Sequence, residues 1–469
     1  VQDAVGAVET HVSVLFFVHD RAYKLKKPVA LDVLDFTTRE ARAAACHREV
    51  ALNRRLAPDV YLGVLDIQGS DGRACDHLVV MRRMPADRRL SRLVTDGLAT
   101  VDDVERLAHL IAAFHAAALA PAAAAEAATA DAVRANWEQS FRQLEPFVGG
   151  VLPAATAGRV EHLAQRYLDG RAALFDRRIA EGRARDGHGD LLADDIFLLE
   201  DGPRVLDCIE FSDRLRYGDV LADVAFLAMD LERLGAPRLA DHFLERWGEL
   251  MGETHPASLA HHYIAYRALV RCKVACVRHG QGDPGAGASA GAHLELARRH
   301  LERGRVVLAL VGGLPGTGKS TVAEGIGRAC GWTVLRSDEV RQELTGDYTP
   351  ESVRRTYEAL VTRAEQALHL GLPVVLDATW GSAAMRELAA AAAARTSSDL
   401  VELRCVVDPA VAARRIATRR EAFGSEATPA VATALATRAD PWPSAVDVDT
   451  EGDPVEVLGR VLWNLSTQR

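Results

Sequence analysis

Apolar and polar positions change period about two-thirds of the way along the chain. From about residue 303 the pattern is that of alternating buried strands and one-sided helices. RVVLALVGG is a continuous β-branched apolar run, a glycine turn follows, and TVAEGIGRACG is apolar on one helical face. Further strands are predicted at 333–337, 372–379, 400–408 and 444–450. One intervening helix is punctuated at both ends: Thr349 as N-cap, Pro350 in the first turn with Glu351, and Gly371-Leu-Pro373 as the stop. Another opens at Asp453-Pro454. Five strands alternating with helices predict a parallel, doubly wound sheet with its ligand at the strand C-termini.

The first part of the chain reads differently. ETHVSVLFFVHD and RAYKLKKPV predict two strands around a short turn, and ACHREVALNRRLA has a helical period. DIFLLEDGPRVLDCIEF predicts a hairpin, with strands at 195–199 and 204–211 joined through Glu200 to Pro203. The Ala-rich stretch 116–130 is interrupted by Pro121 and Glu126 and is read as a surface helix or loop. HGQGDPGAGASAGA (279–292) has the composition of a flexible loop, and a helical ELARRHLERG follows it. The expected boundary lies near 303, giving domains 1–302 and 303–469 without an internal repeat.

Composition narrows the function classes. The apolar fraction of 48% suffices for two or three cores, and a net charge of −9 offers no general affinity for nucleic acid. Seven scattered cysteines argue against a disulfide framework, and Cys272 and Cys276 lack a nearby second pair to complete a zinc site. No run of 18 uncharged apolar residues occurs and VQDAVGAVET lacks the features of a leader, so a cytoplasmic location without membrane partners is expected. Only five lysines stand among 56 basic residues: Lys24, Lys26, Lys27, Lys273 and Lys319. In so Arg-rich a chain, a retained lysine marks a site that needs a compact ammonium.

Lys319 belongs to Gly313-Leu-Pro-Gly316-Thr-Gly318-Lys319-Ser320-Thr321, a Walker A loop placed between a strand and a helix. Glycines there let backbone N–H groups wrap phosphates, the lysine reaches the outer phosphate oxygens, and Ser320 can ligate Mg²⁺. Asp377 closes the strand PVVL in the position of a second metal-holding acid. Asp338, in RSDEVR, is placed to accept a hydroxyl proton, with helix capping as the alternative. Arg415 and Arg419, clustered with Arg414 and Arg420, are candidates for a lid over the transferring phosphoryl group or, equally, a solvated face. GLPGTGKST, RSDEVR and VVLDAT resemble small P-loop kinases of the gluconate kinase, polynucleotide kinase and zeta-toxin type over roughly 305–469. The resemblance implies ATP-dependent transfer to a hydroxyl and leaves the acceptor open.

HGDLLADDIF (188–197) is similar to the catalytic loop of a kinase, with Asp190 in the place of the base and Asp195 where an Asn usually holds Mg²⁺. Leu192 stands where related loops often have His. Matching hairpin turns assigns the second metal-holding acid to Glu210, with Asp207 as the fallback. Lys24 is the favoured phosphate-binding strand lysine and Glu49 its helix partner, while a glycine-rich ATP loop is replaced by Glu9-Thr10-His11-Val12-Ser13. HLVVMRRMP (77–85) fits an adenine-holding hinge. HGDL, D-I-F, IEF and GDVLADVAF make residues 1–300 resemble the aminoglycoside phosphotransferase and choline kinase group. The whole chain is similar to two-part bifunctional aminoglycoside phosphotransferase/ATP-binding proteins.

The resemblance implies an α+β kinase-like bilobal domain followed by an α/β P-loop kinase domain, both using ATP and Mg²⁺ on small hydroxyl acceptors. A polynucleotide or protein acceptor is not favoured. Leu192, Glu210 and the missing glycine loop also admit an N-terminal pseudokinase that regulates a single P-loop kinase. A nucleotide switch or toxin-like partner binder is the third reading. His115 is expected to pack and not to ligate.

Overall fold

The computed structural model describes residues 6–10, 12–31, 34–344, 348–423 and 428–467. The chain divides into two compact units. One comprises 1–157, 175–255 and 263–297, and the other 158–174, 256–262 and 298–469.

The first unit opens with a five-stranded antiparallel sheet of β1 (Gly6–Glu9), β2 (Ser13–Val18), β3 (Arg21–Lys26), β4 (Tyr61–Gln68) and β5 (Ala74–Arg82), in the order β1-β2-β3-β5-β4. In β3 the alternation Ala22, Lys24, Lys26 faces inward, so strand periodicity places both lysines on the buried face. Helix α1 (Arg39–Asn53), capped by the Thr38 side chain, lays Cys46, Glu49 and Val50 against that face.

Helices dominate the remainder of this unit. α2 (Val101–Ala117), α3 (Val220–Arg233), α4 (Pro237–Met251), α5 (Ala257–Gly280) and α6 (Ala286–Arg303) contribute to it. α3 is buried around most of its circumference, which suits a central helix. A short hairpin of β6 (Ile196–Leu199) and β7 (Gly202–Val205) follows the loop at 188–195.

Two predicted elements change here. The second hairpin strand ends at Val205 and not at 211, because Asp207 takes a left-handed conformation (φ 63°) that an extended ladder cannot accommodate. The supposed flexible stretch 279–292 is largely helical: α6 begins at Ala286, its alanines outweighing the glycines.

The second unit is a parallel sheet of β8 (Val307–Gly312), β9 (Thr333–Arg336), β10 (Val374–Asp377), β11 (Asp399–Val406) and β12 (Val446–Asp449), ordered β9-β10-β8-β11-β12. The central β8 is buried throughout, as its continuous apolar run requires. α7 (Lys319–Cys330) follows β8, α8 (Ser337–Leu344) follows β9, and α9 (Pro350–His369) is capped by Thr349 as its punctuation predicts. α10 (Pro409–Phe423) follows β11. No helix among the described residues is long and apolar enough to cross a membrane.

Candidate active sites

In the first unit, Lys24 and Glu49 meet under the sheet with Nζ to Oε1 at 2.9 Å. The other Glu49 oxygen takes Lys26 at 2.7 Å, so one carboxylate divides between two lysines. Glu49 is fully buried and Lys26 is 2% exposed. Burial opposes charge on both Lys24 and Glu49, yet the ion pairs outweigh it: Lys24 stays protonated well above its usual range, and Glu49 is held below the ordinary carboxylate range.

Lys24 also reaches Asp207 Oδ1 at 2.5 Å. The left-handed turn that ends β7 aims this carboxylate back at the sheet. Its backbone N–H donates to Tyr61 Oη at 3.1 Å, and the next N–H, of Cys208, donates to Asn53 Oδ1 at 2.9 Å. Asn53 in turn donates to the Glu49 carbonyl at 2.9 Å, tying the turn to the helix that carries Glu49. Glu210, expected at the second metal position, is buried and paired with Lys26. Asp207 is the acid that shares the electrostatic environment of Asp190 and Asp195. Matching the hairpin turns pointed to Glu210, whereas the fallback, Asp207, is the acid that the chain sets beside Lys24 just past the end of the strand at Val205.

Asp190 is half-buried. Burial pushes its carboxyl up to about 6, with Arg271 and Arg267 pulling against the shift and Asp207 and Asp230 adding to it. Burial likewise raises Asp195 well above the usual range, and the neighbouring Asp207, Asp190 and Asp194 charges raise it further. Buried acids that oppose one another's ionisation in this way fit a divalent cation, whose charge would relieve them together.

The loop carrying Asp190 is fixed from α3. Asp223 accepts the N–H groups of His188 at 2.7 Å and Gly189 at 2.8 Å, and Asp230 accepts that of Ala193 at 3.0 Å. His115 approaches Asp223 through Nε2 at 3.0 Å, and Trp247 Nε1 donates to His115 Nδ1 at 3.2 Å. An indole can only donate, so His115 Nε2 carries the hydrogen given to Asp223. The wholly buried His115 therefore packs, as expected, and also anchors the loop. Tyr61, Asn53 and Asp223 act at distances in sequence that no local pattern encodes, although GDVLADVAF already contained Asp223.

In the second unit the glycines of the Walker loop are sterically required. A Cβ on Gly313 would stand 2.5 Å from Thr317 Oγ1, and one on Gly316 would stand 2.5 Å from the Ala412 carbonyl. Gly316 and Gly318 also hold φ of 82° and 83°, conformations that glycine adopts freely. Lys319 and Ser320 open α7, and Thr321 is exposed in the same turn. Asp377, at the end of β10, is 4% exposed, and its Oδ1 has no hydrogen-bond partner among the described residues. Burial raises this acid, opposed by the Lys319 charge and by a hydrogen bond with Ser320. A buried carboxylate oxygen lacking a donor, next to a serine hydroxyl and a lysine, fits a hydrated Mg²⁺.

Asp338 lies in the first turn of α8, largely exposed and paired with Arg341. Its charge reaches Asp377 and Tyr357. Arg415 is pinned beside the P-loop, with Nη2 donating to the Thr450 carbonyl at 2.9 Å and Nη1 to Thr450 Oγ1 at 3.3 Å. The side chains of Arg419 and Arg420 lie outside the described residues, as does His11. At the N-terminal turn, Thr10 and Ser13 exchange hydrogen bonds in place of a glycine loop.

A lysine–glutamate pair under an antiparallel sheet, an aspartate-bearing loop and a separate Walker loop define a chain of two kinase-type modules, one aminoglycoside phosphotransferase-like and one of the P-loop kinase class. The chain belongs to the phosphotransferase enzyme family, whose model matches residues 19–261, and an AAA domain model matches residues 308–441. It is 42% identical to the uncharacterized protein Rv2004c of Mycobacterium tuberculosis, across 97% of this chain and 94% of the relative. The same figures hold for Mb2027c of Mycobacterium bovis. Among solved structures it is similar to a choline/ethanolamine kinase family protein from Mesorhizobium loti, with 14% identity, a TM-score of 0.41, and 64% of this chain and 89% of that one covered. The APS kinase CysC of Mycobacterium tuberculosis is 20% identical, with a TM-score of 0.29 and coverage of 34% and 97%.

Proposed function

We propose that the chain is a cytoplasmic enzyme with two Mg-ATP-dependent phosphotransfer sites, each passing the γ-phosphoryl group to the hydroxyl of a small molecule. The observation that carries the reading is the convergence of Lys24, Glu49 and Asp207 in the electrostatic company of Asp190 and Asp195. In this module Asp190 takes the hydroxyl proton and Lys24 contacts the phosphates. Asp195 and Asp207 hold the metal, a role moved here from Glu210. With two aspartates available, the glutamate no longer counts against catalysis. In the P-loop module the backbone amides of 313–318 and Lys319 cradle phosphates, Ser320 and Asp377 hold the metal, and Asp338 receives the proton. Arg415 borders the same phosphates. Mg²⁺ held by these residues would supply positive charge to offset the negative charge that develops in phosphoryl transfer.

The test is a calorimetric titration of Mg²⁺ with a non-hydrolysable ATP analogue. Wild type should bind at two sites per chain, and Lys319→Ala and Lys24→Met at one each. One site in wild type and none in Lys319→Ala would leave the N-terminal module as a pseudokinase.

A further inference from the structure

Two of the arginines of α5, Arg267 and Arg271, are spaced one turn apart and so lie on one face. Arg267 is docked on α3: its Nε donates to the Ala222 carbonyl at 2.9 Å, and its guanidinium lies over the Phe226 ring at 4.7 Å. Ala222 precedes Asp223, the residue that holds the amides of the Asp190 loop. Arg267 is thus anchored against the element that positions Asp190, and Arg271 stands a turn further on. Both act electrostatically on Asp190. Arg271 is half-buried, and its guanidinium makes no hydrogen bond or salt bridge among the described residues.

A third group lies within electrostatic reach of Arg271. His293, on α6 and 6% exposed, has Nδ1 at 2.7 Å from the Ser289 carbonyl, while Nε2 is buried without a partner. A carbonyl only accepts, so Nδ1 carries the hydrogen, and Nε2 of the neutral ring presents a lone pair. Arg271 and Asp230 act on this imidazole as well as on Asp190. Asp230 is itself occupied, accepting from Arg233 Nε at 2.8 Å and from the Ala193 amide. The arginine charge beside the base is therefore not consumed by a carboxylate ion pair. A cationic acceptor would meet two guanidinium groups there, whereas an anion would gain a forked donor.

We infer that the acceptor of the N-terminal module is a hydroxylated anion, its phosphate or carboxylate seated on Arg271 and Arg267. The inference rests on the kinase reading of this module and names its substrate class. In the reaction, the acceptor oxygen forms the new O–P bond and its proton passes to Asp190. The bond from the γ-phosphorus to the bridging oxygen breaks, and ADP leaves.

The full chain carrying Lys319→Ala, which silences the P-loop site, would be saturated with Mg²⁺ and the ATP analogue. It would then be titrated with glycerol 3-phosphate, glycerate, glycerol and choline. At least one of the two anions should bind, their difference showing whether phosphate or carboxylate is read, and glycerol and choline should not. Adding Arg271→Gln should weaken anion binding at least tenfold, and Arg271→Lys should weaken it less. Retained analogue binding by these variants would show that they are folded. Anions that bind no better than glycerol, choline binding in their place, or anions that displace the analogue would each overturn the inference. Failure of the analogue to bind the Lys319→Ala chain would instead sink the kinase reading beneath it.

Discussion

Asp190 and Asp207 show how much a single side chain's surroundings decide. Burial brings Asp190 up to about 6, so this base is protonated in acid and competent above neutrality. Turnover by the N-terminal module, kcat/KM against pH in the Lys319→Ala chain, should rise about tenfold per unit below pH 6 and level off above it. Bound metal should move the inflection to lower pH. Asp207 and Glu210 lie three residues apart and have different partners. Asp207→Asn should raise the Mg²⁺ concentration needed for nucleotide binding by an order of magnitude or more, because a neutral amide replaces one of two metal-holding carboxylates. Glu210→Gln should leave that requirement unchanged, since its partner is Lys26. Equal effects of the two substitutions on the Mg²⁺ titration would return the metal role to Glu210.

At the level of elements, α1 and the turn at 206–208 behave as one piece. Glu49, Asn53 and the Asp207 turn are joined by hydrogen bonds, so displacement of the helix must also disturb Lys24 and Asp207. Glu49→Ala would leave two buried ammonium groups sharing one site and should lower the stability of this unit by about 3–5 kcal/mol, the usual cost of breaking a buried pair. Denaturant titration measures it. The P-loop is equally constrained by shape: Gly316→Ala would force a methyl group toward the Ala412 carbonyl in a conformation unfavourable to alanine. Analogue affinity of the second module should fall at least tenfold, with the first module's unaltered.

For the whole molecule, the two proposed nucleotide sites, one in each unit, should respond to ligand separately. Mg²⁺ and analogue at a hundred times Kd stabilise a site-bearing unit by about 2.7 kcal/mol. A thermal scan should show two ligand-sensitive transitions, of which Lys319→Ala abolishes the shift of one. The sequence by itself determined the local chemistry. Period, caps and glycine spacing gave the parallel sheet, the Walker loop, Asp377 at its strand end, and the aspartate loop at 188–195, because each depends on neighbours a few residues apart. The pairing of Lys24 with Glu49 was also legible, from the scarcity of lysine and from the resemblance to kinases, which calls for a helix glutamate beside the strand lysine. Only the tertiary structure separated the surroundings of Asp207, beside Lys24, from those of Glu210, beside Lys26, because a left-handed residue ends the strand and leaves no mark in the apolar pattern. It alone joined His115 to Asp223 and Asn53 to Cys208, and set Arg267 and Arg271 in the surroundings of Asp190. Those associations depend on how helices distant in sequence pack, and a helix's own period records which face is buried without recording against what.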